Sequence, residues 1–183
     1  MYPGNKIELH GLEPDHLKKA NEWVNNPGIN KFLTLYQPVP LRATKQWYES
    51  LVKNANEHVF AILTKRGAHI GNCGLHAIDW KNSNAMLGIV IGEPRYQSRG
   101  FGEDTVITLT RFAFLELNLH RVYLHVWAFN ARAIRCYEKC GFTKEGIMRD
   151  MLFRDGTFHD VLCMGILSKE FKLLEAAACP RKK

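Results

Sequence analysis

Apolar and polar positions change period several times along the chain, and each change predicts an element. Residues 6–9 alternate and predict a first strand. Leu17, Ala20, Trp23 and Val24 recur at helical spacing, so a helix is expected over residues 15–24. Asn25, Asn26, Pro27 and Gly28 break it, and the stretch 29–41 carries prolines and no regular period. Trp47, Tyr48 and Leu51 mark the inner face of a second helix over residues 44–55. Thr44 is its expected cap, because a hydroxyl accepts from free first-turn amides. Strand-like runs follow at 59–64, 70–80 and 85–91, with turns at 65–67 and 81–84, which reads as an antiparallel meander. A long helix over 103–117, a strand over 121–127, a helix over 131–139 and strands about 146–153 and 158–167 complete the pattern. Arg154, Asp155 and Gly156 supply the hairpin turn of the last pair. The fold class is α/β (α+β): a mixed, mostly antiparallel sheet of about seven strands with helices on both faces.

At about 150 residues per domain, 183 residues predict a single domain over 1–175 with a short basic tail over 176–183. Hydrophobic residues at 46% and charged residues at 23% exclude a disordered or collagen-like chain. Lys plus Arg is 25 and Asp plus Glu is 18, a net charge of +7, of which Arg181, Lys182 and Lys183 supply three. The remaining excess suits an anionic ligand. The basic residues are scattered without interleaved aromatics, so nucleic acid is not an expected partner. No run approaches ~20 apolar residues, so no membrane partner is expected. The start, Met-Tyr-Pro-Gly-Asn-Lys, lacks the apolar core of a leader, and a cytoplasmic protein is expected. Cys73, Cys136, Cys140, Cys163 and Cys179 are scattered without a CxxC, which reads as reduced, mostly buried thiols and no metal.

The most informative stretch is Pro94-Arg95-Tyr96-Gln97-Ser98-Arg99-Gly100-Phe101-Gly102-Glu103, between a predicted strand and a predicted helix. Gly100 and Gly102 let the backbone turn tightly and approach a ligand. The free amides of the following helix, with its dipole, bind phosphate oxygens. Arg95 and Arg99 add charge. The plainer reading is a turn whose glycines serve geometry alone. Thr105 breaks the dinucleotide-binding spacing, and no Gly-Lys-Thr/Ser follows, so neither of those phosphate loops is present.

Gln97-x-x-Gly100-x-Gly102 resembles the loop with which GNAT-superfamily acetyltransferases hold the pyrophosphate of acetyl-CoA. A second element, Asn130-Ala131-Arg132-Ala133-Ile134-Arg135-Cys136-Tyr137-Glu138-Lys139-Cys140-Gly141-Phe142, is similar to the family's Asn-x-x-Ala-Ile-x-x-Tyr-Glu-Lys-x-Gly-Phe. Between the two lie a helix and a strand, as in that family. Trp23 near Asn25-Asn26-Pro27, and Trp47 in the second helix, resemble the branch of ribosomal-protein-alanine N-acetyltransferases. That branch also holds amino-sugar and polyamine enzymes.

The resemblance implies an acetyl-CoA-dependent N-acetyltransferase that joins acetyl-CoA and a primary amine by direct attack in a ternary complex. A CoA-binding regulatory module without catalysis is the alternative. Gln97, Ser98, Arg99, Gly100, Phe101, Gly102 and Glu103 are then expected at the CoA phosphates, the backbone near Glu93 along the pantetheine arm, and Asn130 as a helix cap that also touches CoA. The main-chain amide of Ile91 is implied to face the acetyl oxygen. Tyr137 matches the family tyrosine near the departing sulfur, and a phenol is protonated at neutral pH. A core tyrosine would look the same in sequence, as would cysteines 136 and 140 packed in the same helix rather than acetylated. The proton acceptor has three readings. Leu87 stands where some members carry a glutamate. His125 stands where the N-terminal-alanine branch carries one, on a strand face with Tyr123 and Trp127 opposite the apolar face. His76 and bulk water are the others.

On the acceptor side the candidates are Trp23, Tyr36 and Trp47, with Asn26, Gln37, Arg149, Arg154 and His159; aromatics with a few polar groups suit a small-molecule pocket or the edge of a core. The early helices show no acidic cluster for a polycation. A protein N-terminus or an amino sugar is therefore the expected acceptor. A homodimer is compatible with all of this.

Overall fold

The computed structural model describes residues 1–178. Its strands are β1 (Tyr2–Pro3), β2 (Ile7–Gly11), β3 (His58–Thr64), β4 (His69–Asp79), β5 (Asn84–Ile91), β6 (Arg121–Trp127), β7 (Thr143–Arg154) and β8 (Thr157–Leu167). Its helices are α1 (Leu17–Val24), α2 (Pro27–Asn30), α3 (Leu41–Leu51), α4 (Phe101–Leu115), α5 (Ala131–Lys139) and α6 (Ser168–Ala178). The strands form an eight-stranded sheet ordered β1-β2-β3-β4-β5-β6-β8-β7. The pairings of β2 with β3, β3 with β4, β6 with β8 and β7 with β8 are antiparallel. β5 and β6 pair in parallel from Asn84 opposite Arg121 to Met86 opposite Tyr123, a geometry that requires a crossover such as α4. The expected mixed α/β sheet is therefore present, with the two-residue β1 added.

Several boundaries move. The second helix begins at Leu41, because Pro40 takes the extended conformation and acts as its N-cap. Thr44 is thus inside the helix, buried, with its hydroxyl accepting from the Asn21 side chain at 2.9 Å. A short helix breaks the irregular stretch after Asn26, whose side chain accepts from the Gly28 amide at 2.8 Å. After β8 the chain continues as α6 instead of a tail from 176. Glu170 starts it by accepting from the Leu167 amide at 2.8 Å, half of a capping box. Residues 179–183, with Cys179 and the three terminal cations, lie outside the described residues.

The chain gathers into two compact units, Met1–Ala77 with Leu87–Leu109, and Ile78–Met86 with the chain from Thr110 on. In the first, Leu12, Leu17 and Ala61 are buried with Tyr48, Leu51, Val59 and Leu63 packed on them, which seats α1 and α3 on β3. Each fully buried aliphatic side chain contributes about 1.5–3 kcal/mol. Asp104 in the first turn of α4 accepts from the amides of Asn5, Lys6 and Ile7 at 3.0, 2.7 and 3.0 Å, fixing the start of β2 beside that turn.

In the second unit Val122, Leu124 and Val126 of β6 are buried, in register with Ile166, Met164 and Leu162 of β8. Phe171 of α6 packs on Phe114 at a ring separation of 5.6 Å. The β7–β8 hairpin turns through Asp155 and Gly156, both at positive φ, as a two-residue loop with the right-handed twist of a hairpin requires. Cys73 and Cys140 are buried, Cys136 and Cys163 are half-buried, and none of these four described cysteines forms a disulfide.

Candidate active site

In the first unit the loop after β5 is built step by step from its sequence. The amides of Gly92 and Glu93 both donate to the Ile70 carbonyl, at 2.9 and 3.2 Å, so the strand end is irregular there, as at a bulge. Gly92 is itself required: a Cβ there would stand 2.0 Å from Cδ2 of Trp23. Pro94 opens a 3₁₀ turn, closed by Tyr96 donating to Glu93 at 3.0 Å and Gln97 to Pro94 at 3.1 Å. Both main-chain groups of Glu93 are thus engaged, leaving its carbonyl one further lone pair. The Gln97 side chain then turns back and donates to the Ile91 carbonyl at 2.8 Å.

Ser98 and Gly100 both hold positive φ, +57° and +81°, on either side of Arg99, and α4 begins at Phe101. Left-handed residues followed by the free amides of a first turn make a concavity of N–H groups suited to an anion. Lys6 adds a cation that the sequence pattern did not reveal. Its ammonium donates to the Arg99 carbonyl at 2.9 Å and lies 5.8 Å from the centre of the Phe101 ring. Ninety-three residues separate Lys6 from Arg99, so no local motif could have announced it.

The Glu93 carboxylate pairs with Lys19 at 3.1 Å, with Arg95 at 3.9 Å and with the Trp23 indole. Burial opposes its ionisation, but the Lys19 and Trp23 hydrogen bonds and the two cations outweigh that and hold it below the usual carboxylate range. Trp23 is itself 6% exposed, wedged under Gly92 with its ring 4.7 Å from that of His69. Among the aromatics expected on the acceptor side, Tyr36 alone is freely exposed, at 86%; Trp47 stands half-exposed on α3. Tyr36 lines an open groove of about 580 Å³ with Asn25, Pro27, Asn30, Gln37, Pro38, Val39 and Pro40. No carboxylate lines this groove. Between Glu22 and Glu49 the sequence holds no Asp or Glu, but does hold Lys31, Arg42 and Lys45.

In the second unit Asn130 caps α5, its side chain accepting from the Ala133 amide at 3.2 Å, as expected. Tyr137 is buried, 8% exposed, with its ring 6.1 Å from that of Phe142. Burial, with the flanking Cys136 and Cys140, raises its pKa above the ordinary phenol value. The phenol therefore stays protonated throughout the neutral range. His125 is exposed on the face of β6 opposite Val122, Leu124 and Val126, its ring 5.9 Å from Tyr123. On the closing hairpin, His159 meets Phe129 edge-on at 5.0 Å.

Residues 6–143 match the family described as an acetyltransferase (GNAT) domain. The chain is 27% identical to the SPbeta prophage-derived uncharacterized N-acetyltransferase YokL of Bacillus subtilis, covering 94% of this chain and 96% of that one. It is 28% identical to the spermidine N(1)-acetyltransferase of Vibrio cholerae over 91% of this chain and 96% of the relative. The structure of the Vibrio cholerae spermidine N-acetyltransferase in complex with CoA and spermine superimposes with a TM-score of 0.87 at 28% identity, covering 91% of this chain and 98% of that one. The putative ribosomal N-acetyltransferase YdaF of Bacillus subtilis is 30% identical, but over 58% of this chain and 57% of its own.

Proposed function

We propose that this chain, which belongs to the GNAT acetyltransferase family, acetylates a primary amine carried by a neutral or anionic molecule, a protein N-terminus or an amino sugar, in preference to a polyamine. It is an N-acetyltransferase that uses acetyl-CoA. The observation that carries the acceptor reading is the groove beside Tyr36. A polyamine presents two or more ammonium groups, and each one taken from water needs an acceptor of negative charge. The groove offers amides, carbonyls and a phenol, and cations flank it in sequence. Such a lining accepts a single amine and tolerates a phosphate or carboxylate on the same substrate.

The family resemblance and the loop geometry together support the other roles. The loop fits a pyrophosphate. Its backbone is left-handed at Ser98 and Gly100, the first-turn amides of α4 follow, and Lys6 and Arg99 supply charge. Side chains of Gln97 and Glu93 brace the loop, one on Ile91 and the other on Lys19. The Ile91 amide polarises the thioester carbonyl, and Tyr137 gives its proton to the departing thiolate. Each role places a fixed dipole or donor where charge develops.

The second reading is polyamine acetylation, favoured by the activity of the Vibrio cholerae relative. Release of free thiol from acetyl-CoA separates the two. An N-terminal peptide or a phosphorylated amino sugar should support turnover where spermidine does not. Gln37→Glu should then raise activity on spermidine by adding the missing carboxylate. Ready turnover of spermidine by the unmodified protein would favour the second reading.

A further inference from the structure

The first unit holds a carboxylate–imidazole pair that none of the roles above uses. Glu57 ends the turn between α3 and β3, where its amide donates to the Asn54 carbonyl at 3.2 Å. One carboxylate oxygen accepts from Nδ1 of His76, and the other accepts from the Ala77 amide at 3.2 Å. Ala77 holds a positive φ of +48°, a left-handed conformation that a residue with a side chain seldom adopts. That turn in β4 brings the Ala77 amide to Glu57. A carboxylate only accepts, so the proton of the neutral imidazole lies on Nδ1 and Nε2 is left as the basic nitrogen.

The imidazole ring packs closely over backbone that carries no side chain. A Cβ on Gly88 of β5 would stand 2.9 Å from Nε2, and a Cβ on Gly74 of β4 would stand 3.1 Å from it. Two glycines on neighbouring strands therefore lie under one ring. Gly74 pairs with Val59, which packs on Leu12 and Leu17 beneath α1 and α3, so His76, two residues on, belongs to the face carrying those helices. The His76 side chain is 30% exposed, accessible but held. Three residues beyond Gly88 on the same strand is Ile91.

We infer that His76 is the base that takes the proton from the acceptor amine, and that Glu57 is the residue that positions it. The inference rests on the acetyl-transfer reading. The ammonium N–H bond breaks and its proton passes to Nε2 of His76. The freed lone pair forms the N–C bond at the thioester carbonyl. The C–S bond breaks, its electron pair leaves with sulfur, the thiolate takes the Tyr137 proton, and the second N–H proton of the attacking nitrogen passes to solvent, which leaves a neutral amide. The imidazolium returns its proton to the phenolate through solvent, so no other reactant is needed. At His125 the recorded ring contact is with Tyr123, whereas a tautomer-fixing carboxylate is present at His76.

The test uses the full chain and three variants: His76→Ala, His76→Gln and Glu57→Gln. Acetyl-CoA binding is titrated, kcat and KM are measured with the amine that the unmodified protein turns over fastest, and slow thioester hydrolysis is followed without an amine. Both His76 variants should lose at least 100-fold in kcat with acetyl-CoA affinity unchanged. Added imidazole should restore His76→Ala tenfold or more and leave His76→Gln, which fills the space, unaffected. Glu57→Gln should lose about tenfold in kcat with KM within twofold. A kcat within twofold of the unmodified protein, or a loss in His76→Ala that imidazole does not reverse, would overturn the inference. If no amine in the panel is acetylated, the acceptor reading falls. Hydrolysis still decides on His76: a tenfold loss supports the base, and unchanged hydrolysis removes it.

Discussion

Gln97 reaches back six residues and donates its side-chain amide to the Ile91 carbonyl at 2.8 Å, tying the loop before α4 to the strand end that precedes it. Removing that bond leaves a part-buried carbonyl unpaired, at a cost of about 1 kcal/mol. Gln97→Ala should lower the melting temperature by roughly 2–4 °C for a chain of this size. It should also raise the acetyl-CoA KM several-fold, with a smaller change in kcat. Thermal melts and initial rates check both, and an unchanged KM would detach Gln97 from cofactor binding.

Gly100 holds φ +81°, and a Cβ there would stand 2.8 Å from the Lys6 ammonium. Gly100→Val is therefore strained in its backbone and displaces a cation from the loop. CoA affinity should fall at least tenfold, about 1.4 kcal/mol. Lys6→Ala should weaken CoA by less, and its deficit should shrink as salt rises, because screening removes the same attraction in both proteins. Calorimetric titration at two ionic strengths measures this. A deficit independent of salt would make Lys6 a packing residue.

Much of this arrangement was legible before the structure. The β6 alternation and the α5 pattern gave element bounds that coincide with those observed, because a strict period over seven or nine residues leaves little freedom. The hairpin at Asp155-Gly156 was legible because only a few residue types tolerate two positive φ values. The cap at Thr44 was misplaced because Pro40 can start a helix without a side-chain acceptor, which moves the start three residues upstream. Trp23 was read as an acceptor aromatic, but the close approach of Gly92 that buries it is 69 residues away in sequence. Lys6 and Glu57 were invisible for the same reason. Their roles depend on which strands meet, and periodicity does not contain that information.

Tyr137→Phe keeps the ring and removes the proton donor. If the phenol protonates the leaving thiolate, kcat should fall 100-fold or more while acetyl-CoA affinity changes little. The raised pKa also has a stability consequence. The folded state holds the phenolic proton more tightly than the unfolded state, so this contribution is complete below about pH 10 and declines as pH rises beyond it. Urea melts between pH 8 and 11 should show less alkaline loss in Tyr137→Phe than in the unmodified protein. Equal loss in both would place Tyr137 in water.

Two acid windows should appear in stability. Burial lowers the pKa of His69, whose ring meets those of His16 and Trp23 at tilted angles, with a nearby Asn72 hydrogen bond opposing it. A depressed imidazole stabilises above its unfolded value of about 6.5, and that part is lost as pH falls below it. Glu93 is also depressed, so its contribution persists above about pH 4.3 and is lost lower down. Melting temperature measured from pH 7 to 3 should therefore fall in two stages. His69→Gln should reduce the first stage, which the depressed His16 shares, and Glu93→Gln the second, which the depressed Glu145 shares.

The most direct test of the acceptor assignment is a competition in one vessel. Equal concentrations of an alanine-initiated peptide, a phosphorylated amino sugar and spermidine are incubated with limiting acetyl-CoA, and products are counted by mass spectrometry. The ratio of products at early times is the ratio of kcat/KM values. A groove without a carboxylate predicts that the peptide or the amino sugar exceeds spermidine by at least 100-fold, about 2.7 kcal/mol in transition-state binding. Acetylspermidine as the main product would contradict the account, since it would require the site to hold a polycation with no anion in the groove.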